Sequence, residues 1–273
     1  MGIVASWLRN YVVAPKYLGA RHDQVITTDD VRIHTVSLDG PSDCGVTVVL
    51  VPGFGHWHRH RKVFEMAHAL ATHANVMVVE LRGHGLSAGH SVLGAVESLD
   101  VAAAVASVPA TQRIVLVGAS LGAAASLVYA GTCDAAGLRK PDAVVSISGP
   151  GWWTPDQPQR GAARLVRAAG SAVTRGGMHV FMRVRMAHLD GRSWIDPIDV
   201  VANIAPSPLL LVHDPDDWYF GAEHVERLAA MGGSNVSMWW RRGGHATDLF
   251  APELYDRIAR DVIAPLGSAR GCR

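Results

Sequence analysis

Ile114-Val115-Leu116-Val117-Gly118-Ala119-Ser120-Leu121-Gly122 decides how this chain is read. The apolar run Ile114 to Val117 has the length and β-branching of a buried strand. Ala123 to Ala130 is rich in helix formers and has no glycine or proline, so a helix follows. Between them Gly118 and Gly122 flank Ser120 on a sharp strand-to-helix turn. Glycine lets the backbone turn there without a Cβ clash. Such a turn pushes the serine out of the sheet, and the first N–H groups of the helix point back toward it. A nucleophile and a partly positive helix end therefore meet at one place.

Reading outward, strands and helices alternate. Strand patterns fall at Val31 to Val36, Val46 to Val51, Val76 to Leu81, Ala143 to Ser148, Leu209 to Val212 and Val236 to Trp240. Helical patterns fall between the loop Pro52–Arg59 and Thr72, at Glu97 to Val108, at Glu223 to Met231 and at Pro252 to Ile263. The run Val46 to Val51 is what a strand covered on both faces looks like. This order predicts an α/β fold with a mostly parallel central sheet and helices on both faces. Residues 151–202 break the rhythm and read as a helical cap inserted between core segments 1–150 and 203–273. That cap has a helical stretch around Ala162 to Ala169, then Gly176-Gly177 and a second apolar stretch with Met178, Phe181, Met182 and Met186. It also carries Arg160, Arg164, Arg167, Arg175, Arg183 and Arg185, with no acidic residue between Pro158 and Leu189. The arginines read as a solvated helix face or as a basic rim for an anionic group.

A chain of 273 residues with 49% hydrophobic content can bury a large single core. A formal net charge of +1 gives no reason to expect nucleic acid as a partner. Three cysteines, Cys44, Cys133 and Cys272, are neither a disulfide framework nor a zinc site. With no segment read as a signal peptide or a membrane span, the expectation is a cytoplasmic protein. The N-terminus reads as a helix with Trp7, Leu8, Tyr11 and Val12 on one side. Gly2 and Ser6 match a short lipidation pattern. Peripheral membrane contact through that helix and the basic insertion is a secondary expectation.

A serine hydroxyl needs a base, and the base an orienting acid. Arg242-Gly243-Gly244-His245-Ala246 places a histidine after the last strand. Val212-His213-Asp214-Pro215-Asp216-Asp217 places carboxylates just beyond the preceding one. All three sites lie where strand C-termini meet the cleft of a parallel sheet. His56, His58 and His60 also alternate in one loop, but no nearby cysteine or carboxylate other than Glu65 completes a metal site, and none is expected. His84 reads as structural. No dinucleotide or phosphate-binding glycine pattern occurs in suitable context, so no cofactor is implied.

The order serine, acid, histidine, together with the glycine-flanked serine turn, resembles the α/β-hydrolase superfamily. Pro52-Gly53-Phe54-Gly55 resembles its oxyanion loop, with proline where histidine is common. Glu80-Leu81-Arg82-Gly83-His84-Gly85-Leu86-Ser87 resembles its Asp-x-Arg-Gly-x-Gly-x-Ser loop, with Glu80 for the aspartate. His213 to Asp217 resembles His-Gly-x-x-Asp, which favours Asp217 as the acid over Asp216 and Asp214. The resemblance implies a triad of Ser120, Asp217 and His245, and an oxyanion hole from the backbone N–H groups of Phe54 and Leu121. It implies a serine hydrolase that cleaves a small carboxylic ester through an acyl-enzyme. Lipase-like hydrolysis of monoacylglycerol or lysophospholipid, thioester, amide or carbon–carbon cleavage, and a non-catalytic member are the alternatives. Serine at the turn argues against epoxide hydrolases and haloalkane dehalogenases, which use aspartate there. Trp57, Trp152, Trp153, Met178, Met182 and Trp218 are the expected pocket residues, suited to a partly apolar substrate.

Overall fold

The computed structural model describes residues 16–41, 45–153, 163–164, 167, 170–189 and 193–268. The expected N-terminal helix, the lipidation pattern, Cys44, Cys272, Arg160 and most of the stretch 162–169 lie outside them.

Eight strands form one sheet among the described residues. In chain order they are β1 (Arg21–Ile26), β2 (Arg32–Leu38), β3 (Val46–Val51), β4 (Asn75–Val79), β5 (Arg113–Ala119), β6 (Ala143–Ile147), β7 (Leu209–His213) and β8 (Val236–Trp240). Their spatial order is β1-β2-β4-β3-β5-β6-β7-β8. From β4 to β8 all neighbours are parallel; β1–β2 and β2–β4 are antiparallel.

The β-branched run of β3 is buried at every residue. Val48 and Leu50 face one core cluster, which includes Met66 and Leu70 of helix α1 (Arg61–Ala71) and Leu254 near the C-terminus. Val49 and Val51 face the other, with Val101 of α2 (Ser98–Ser107) and Leu127 of α3 (Leu121–Thr132). Each buried Val or Leu contributes about 1.5–3 kcal/mol, and the two-period of the strand divides that gain between the faces. Because β3 pairs with both β4 and β5, the chain changes direction there. The C-terminal ends of β3 and β5 thus lie side by side, and the loops leaving them can share a cleft.

Three elements differ from the sequence reading. β1 was not foreseen, because Arg-His-Asp-Gln-Val-Ile is a mostly exposed edge strand without an apolar signature. β2 begins at Arg32 and runs on to Leu38, and its Ile33 to Val36 are all buried, His34 and Thr35 included. The last helix begins at Pro252 as expected but runs through a π turn at Ala259–Ile263 and on to Ser268.

Within residues 151–202, helix α4 (Ala172–Met182) is capped by Ser171 and ends at Arg183 in the left-handed region. The strand-like stretch after it is bridged to the loop beyond β4, Val184 to His84 and Met186 to Ser91. Val184, Met186 and Leu93 make a small core of their own, against which Phe54, Met178 and Met182 pack.

Candidate functional site

Ser120 sits between β5 and α3 with φ 51° and ψ −117°, a conformation few side-chain-bearing residues adopt. The turn is held from both sides. A Cβ on Gly118 would come 2.5 Å from the Gly122 carbonyl oxygen, and one on Gly122 would collide with the carbonyls of Val51 and Pro52. The Ser120 amide donates to the Ile147 carbonyl at 2.9 Å, tying the turn to β6.

The structure brings the three residues together. His245 Nε2 lies 2.8 Å from Ser120 Oγ, and His245 Nδ1 lies 2.7 Å from Asp217 Oδ2. The Asp217 side chain is fully buried and that of His245 is 15% exposed. Asp217 Oδ1 accepts the Tyr219 and Phe220 amide hydrogens at 2.8 and 3.2 Å, so its second oxygen is satisfied without the imidazole. The Tyr219 ring stacks on His245 with centroids 4.4 Å apart. Asp216 points elsewhere, to an exposed ion pair with Arg242.

Asp214 has a different part. Its Oδ2 accepts the Gly243 and Gly244 amide hydrogens at 2.6 and 2.7 Å, and its Oδ1 accepts that of Asp216 at 2.8 Å. Burial pushes this carboxyl up, but the amides of Asp216, Gly244 and Gly243 outweigh it and hold it below the ordinary aspartate range. One side chain thus joins the loop of the acid to the loop of the histidine. Ser148, buried with φ 50°, accepts the Ala246 amide hydrogen on Oγ at 2.9 Å. His213 Nε2 donates to the Phe220 carbonyl at 2.9 Å and closes the acid loop. Ser148 and His213 were not read as site residues, because backbone-directed hydrogen bonds across β6 and β7 have no local signature.

The loop after β3 approaches Ser120 closely. A Cβ on Gly53 would meet Ser120 Cβ at 3.1 Å and the Ala119 carbonyl oxygen at 3.0 Å, so glycine is what lets this loop pack against the turn at Ser120. Leu121 is the first residue of α3, where the amide has no intrahelical acceptor. Phe54 is backed edge-on by His84, centroids 5.5 Å apart, and His84 is buried with Nδ1 3.0 Å from the Arg82 carbonyl.

Residues 48–265 match the sequence profile of the Alpha/beta hydrolase family. The chain belongs to that family. Among curated proteins, none matches it significantly. Among solved structures, this alpha/beta hydrolase is similar to the esterase Pf2001 of Pyrococcus furiosus, at 20% identity and a TM-score of 0.67, over 90% of this chain and 94% of that one. The esterase RhEst1 of Rhodococcus sp. ECU1013 matches at 20% identity and 0.65, over 90% and 99%. A bacterial membrane phospholipase A matches at 17% and 0.64, over 90% and 87%. At these identities the likeness is one of fold.

A cavity of about 520 Å³ opens beside Ser120 in this hydrolase. Trp153, Met178, Met182 and Trp218 line it, as expected from the sequence. Trp57 and Trp152 do not. Trp57 is buried with the Arg183 guanidinium over its ring at 4.8 Å, and Trp152 stacks on His224 with centroids 3.8 Å apart. Trp152 is half-exposed between His224 and Arg227. Leu93, Tyr219, Phe220 and His56 line the cavity without having been foreseen. The His56 pKa lies well below the ordinary range, chiefly through burial, so the cavity wall there is neutral. Of the arginines in residues 151–202, Arg164 reaches the cavity, stacked on Trp218 at 5.0 Å. Arg183 is exposed with its guanidinium over Trp57, and the half-buried Arg185 donates to the carbonyls of Ser87 and Gly89. These arginines are not one continuous solvated face.

The three alternating histidines separate. His56 and His60 meet edge to face with centroids 4.2 Å apart, and burial pushes the His60 pKa down to about 4. His58 turns the other way, toward Glu80 and His34. Those three are a group among the described residues whose donor atoms could share a cation. No described helix is long and apolar enough to cross a membrane.

Proposed function

We propose that this alpha/beta hydrolase cleaves carboxylic esters through a covalent acyl-enzyme on Ser120. His245 Nε2 accepts the Ser120 proton as Oγ attacks the ester carbonyl carbon. Asp217 accepts the Nδ1 hydrogen, fixes the tautomer and offsets the imidazolium charge. The backbone N–H groups of Phe54 and Leu121 receive the oxyanion, each worth about 3 kcal/mol in the transition state. The C–O bond breaks as His245 returns the proton to the leaving alcohol. Water, deprotonated by the same imidazole, then attacks the acyl carbon and releases the acid with Ser120 restored.

The observation that carries this reading is the unbroken hydrogen-bonded series from Ser120 Oγ through His245 to the buried Asp217, at the mouth of a largely apolar cavity. The cavity favours an ester with an apolar acyl or alkyl part.

Labelling with a fluorophosphonate probe, followed by assay on p-nitrophenyl esters, tests it. The expected result is stoichiometric modification of Ser120 and ester turnover that falls by about 10⁴–10⁶ in Ser120→Ala. Full turnover in Ser120→Ala, or a folded protein inert to the probe and to every ester, would overturn the reading.

A further inference from the structure

Glu80 follows β4 and is completely buried. Its Oε1 lies 2.5 Å from His58 Nδ1 and 3.3 Å from the His58 amide. Its Oε2 accepts the Leu86 amide hydrogen at 2.6 Å and lies 3.2 Å from His34 Nδ1. The last contact has ion-pair distance without hydrogen-bond alignment, and His34 Nδ1 is a buried nitrogen with no hydrogen-bond partner. On the far side of that ring, His34 Nε2 lies 3.2 Å from His22 Nδ1. In the tautomer where Nε2–H donates to His22, the Nδ1 lone pair faces a carboxylate oxygen. Two acceptors at that separation repel unless a cation lies between them.

The three donors stand on a rigid frame. His34 is on β2, and the Glu80 amide extends the β2–β4 ladder by donating to the His34 carbonyl at 3.0 Å. The His34 amide donates to Ser87 Oγ at 2.8 Å, and Ser87 Oγ donates to the Glu80 carbonyl at 2.5 Å. The Tyr17 hydroxyl donates to the His58 carbonyl at 2.7 Å. One nitrogen of His34, one of His58 and a carboxylate oxygen all lie within 4.8 Å of one another. An ion about 2.0–2.2 Å from each is reached when His58 Nδ1 and Glu80 Oε1, 2.5 Å apart without it, part to about 3.4 Å.

We propose that His34, His58 and Glu80 form a site for one divalent ion of the zinc type. Two imidazole nitrogens and one carboxylate are a borderline ligand set that suits zinc over calcium or magnesium. The fourth position takes water. The His22 contact to His34 is the outer hydrogen bond that orients a ligating imidazole. On binding, the ion takes the place of the proton between His58 Nδ1 and Glu80. That proton moves to Nε2 of the same ring, so His58 ligates as a neutral imidazole with no net proton released. The ion pins the loop carrying Phe54 and His56 to β2 and β4, so its role is to stiffen the wall of the cleft from behind. The site does not depend on the ester-hydrolase reading.

Chelator-treated full-length protein titrated with Zn²⁺ by calorimetry, in buffers of different ionisation enthalpy, tests the assignment. The expected result is one ion bound, with a heat that does not depend on the buffer because neutral imidazoles release no net proton. At a free zinc concentration ~100-fold above Kd, Tm rises by about 5 °C. The rise is absent in His34→Gln and in His58→Gln and kept in His73→Gln, which alters an exposed histidine. Should both site variants fail to fold, Co²⁺ substitution in the wild type decides. Ligand-field bands of a four-coordinate nitrogen–oxygen site support the assignment. Thiolate charge-transfer bands or an octahedral aquo spectrum overturn it. No binding, or equal binding in His34→Gln, also overturns it, and His34 Nδ1 then carries a proton instead.

Discussion

Asp214 does not touch His245, yet its Oδ2 accepts the Gly244 amide hydrogen at 2.7 Å and so sets the position of the histidine one residue on. It also accepts from Gly243, and both glycines have positive φ, 155° and 110°. Asp214→Ala removes hydrogen bonds to an ionised acceptor, each worth about 1.5–3 kcal/mol. We expect Tm to fall and kcat to drop by about 10–100-fold while KM changes little. A variant with wild-type kcat would show that the loop holds itself.

Asp217→Asn keeps the shape of the acid but removes the charge, and it lets the imidazole adopt the unproductive tautomer. Because Tyr219 and Phe220 amides still find an oxygen there, folding is retained. The expected loss is about 10⁴ in kcat with near-normal Tm. Retained activity in this variant, with loss in Asp216→Asn, would transfer the role to Asp216.

Glu80 makes stability fall in acid. Burial pushes its carboxyl up, but in the metal-free protein, with the proton on His34 Nδ1, the His34 and His58 imidazoles and the Leu86 amide outweigh it and bring the pKa to about 2, against an ordinary 4.5. A depressed folded value means the stabilisation is complete above pH 4.5 and is lost as pH falls toward 2. The difference corresponds to about 3 kcal/mol. Urea unfolding in metal-free buffer between about pH 5 and pH 2.5 measures it. Glu80→Gln is less stable at neutral pH and has a shallower slope over that window.

Gly122→Ala tests the packing under the turn at Ser120. The added methyl collides with the Val51 and Pro52 carbonyls, so α3 must move off β3. Overpacking of this kind costs about 1–3 kcal/mol. Thermal unfolding is expected to show it, with ester turnover falling further because Ser120 moves with the helix. A variant with unchanged Tm and kcat would mean the turn can shift freely.

The cavity lining sets chain-length preference. With Trp153, Met178 and Met182 facing about 520 Å³, p-nitrophenyl butyrate or hexanoate should exceed acetate in kcat/KM. Met182→Trp fills part of that space and shifts the optimum toward acetate. A wild-type enzyme with a sharp preference for acetate contradicts the assignment of the cavity as the acyl site.

Much of the sheet was legible because its central strands are buried on both faces, so runs such as Val46 to Val51 carry no polar residue but Thr47. β1 was not, since an exposed edge strand gains its stability from hydrogen bonds to β2 rather than from apolar burial. Trp57 and Trp152 were misplaced for a related reason. A tryptophan near a cleft in sequence can pack away from the wall as readily as at it, and which happens depends on the arginine or histidine ring it meets.

Local chemistry in the chain was enough to mark the sharp turn at Ser120, because Gly118 and Gly122 are required by sterics within a few residues of it. It was also enough to order serine, acid and histidine along the parallel strands. The resemblance favoured Asp217 over Asp216 and Asp214; where the loop aims the three carboxylates, with Asp217 on His245, Asp216 on Arg242 and Asp214 on the Gly243 and Gly244 amides, is seen only in the tertiary structure. The same holds for His34, His58 and Glu80, which come from separate segments and acquire a common purpose only when β2, β4 and the loop after β3 are side by side. Hydrogen bonds and ligand sets between distant segments depend on three-dimensional distance, and no local pattern of residues encodes that.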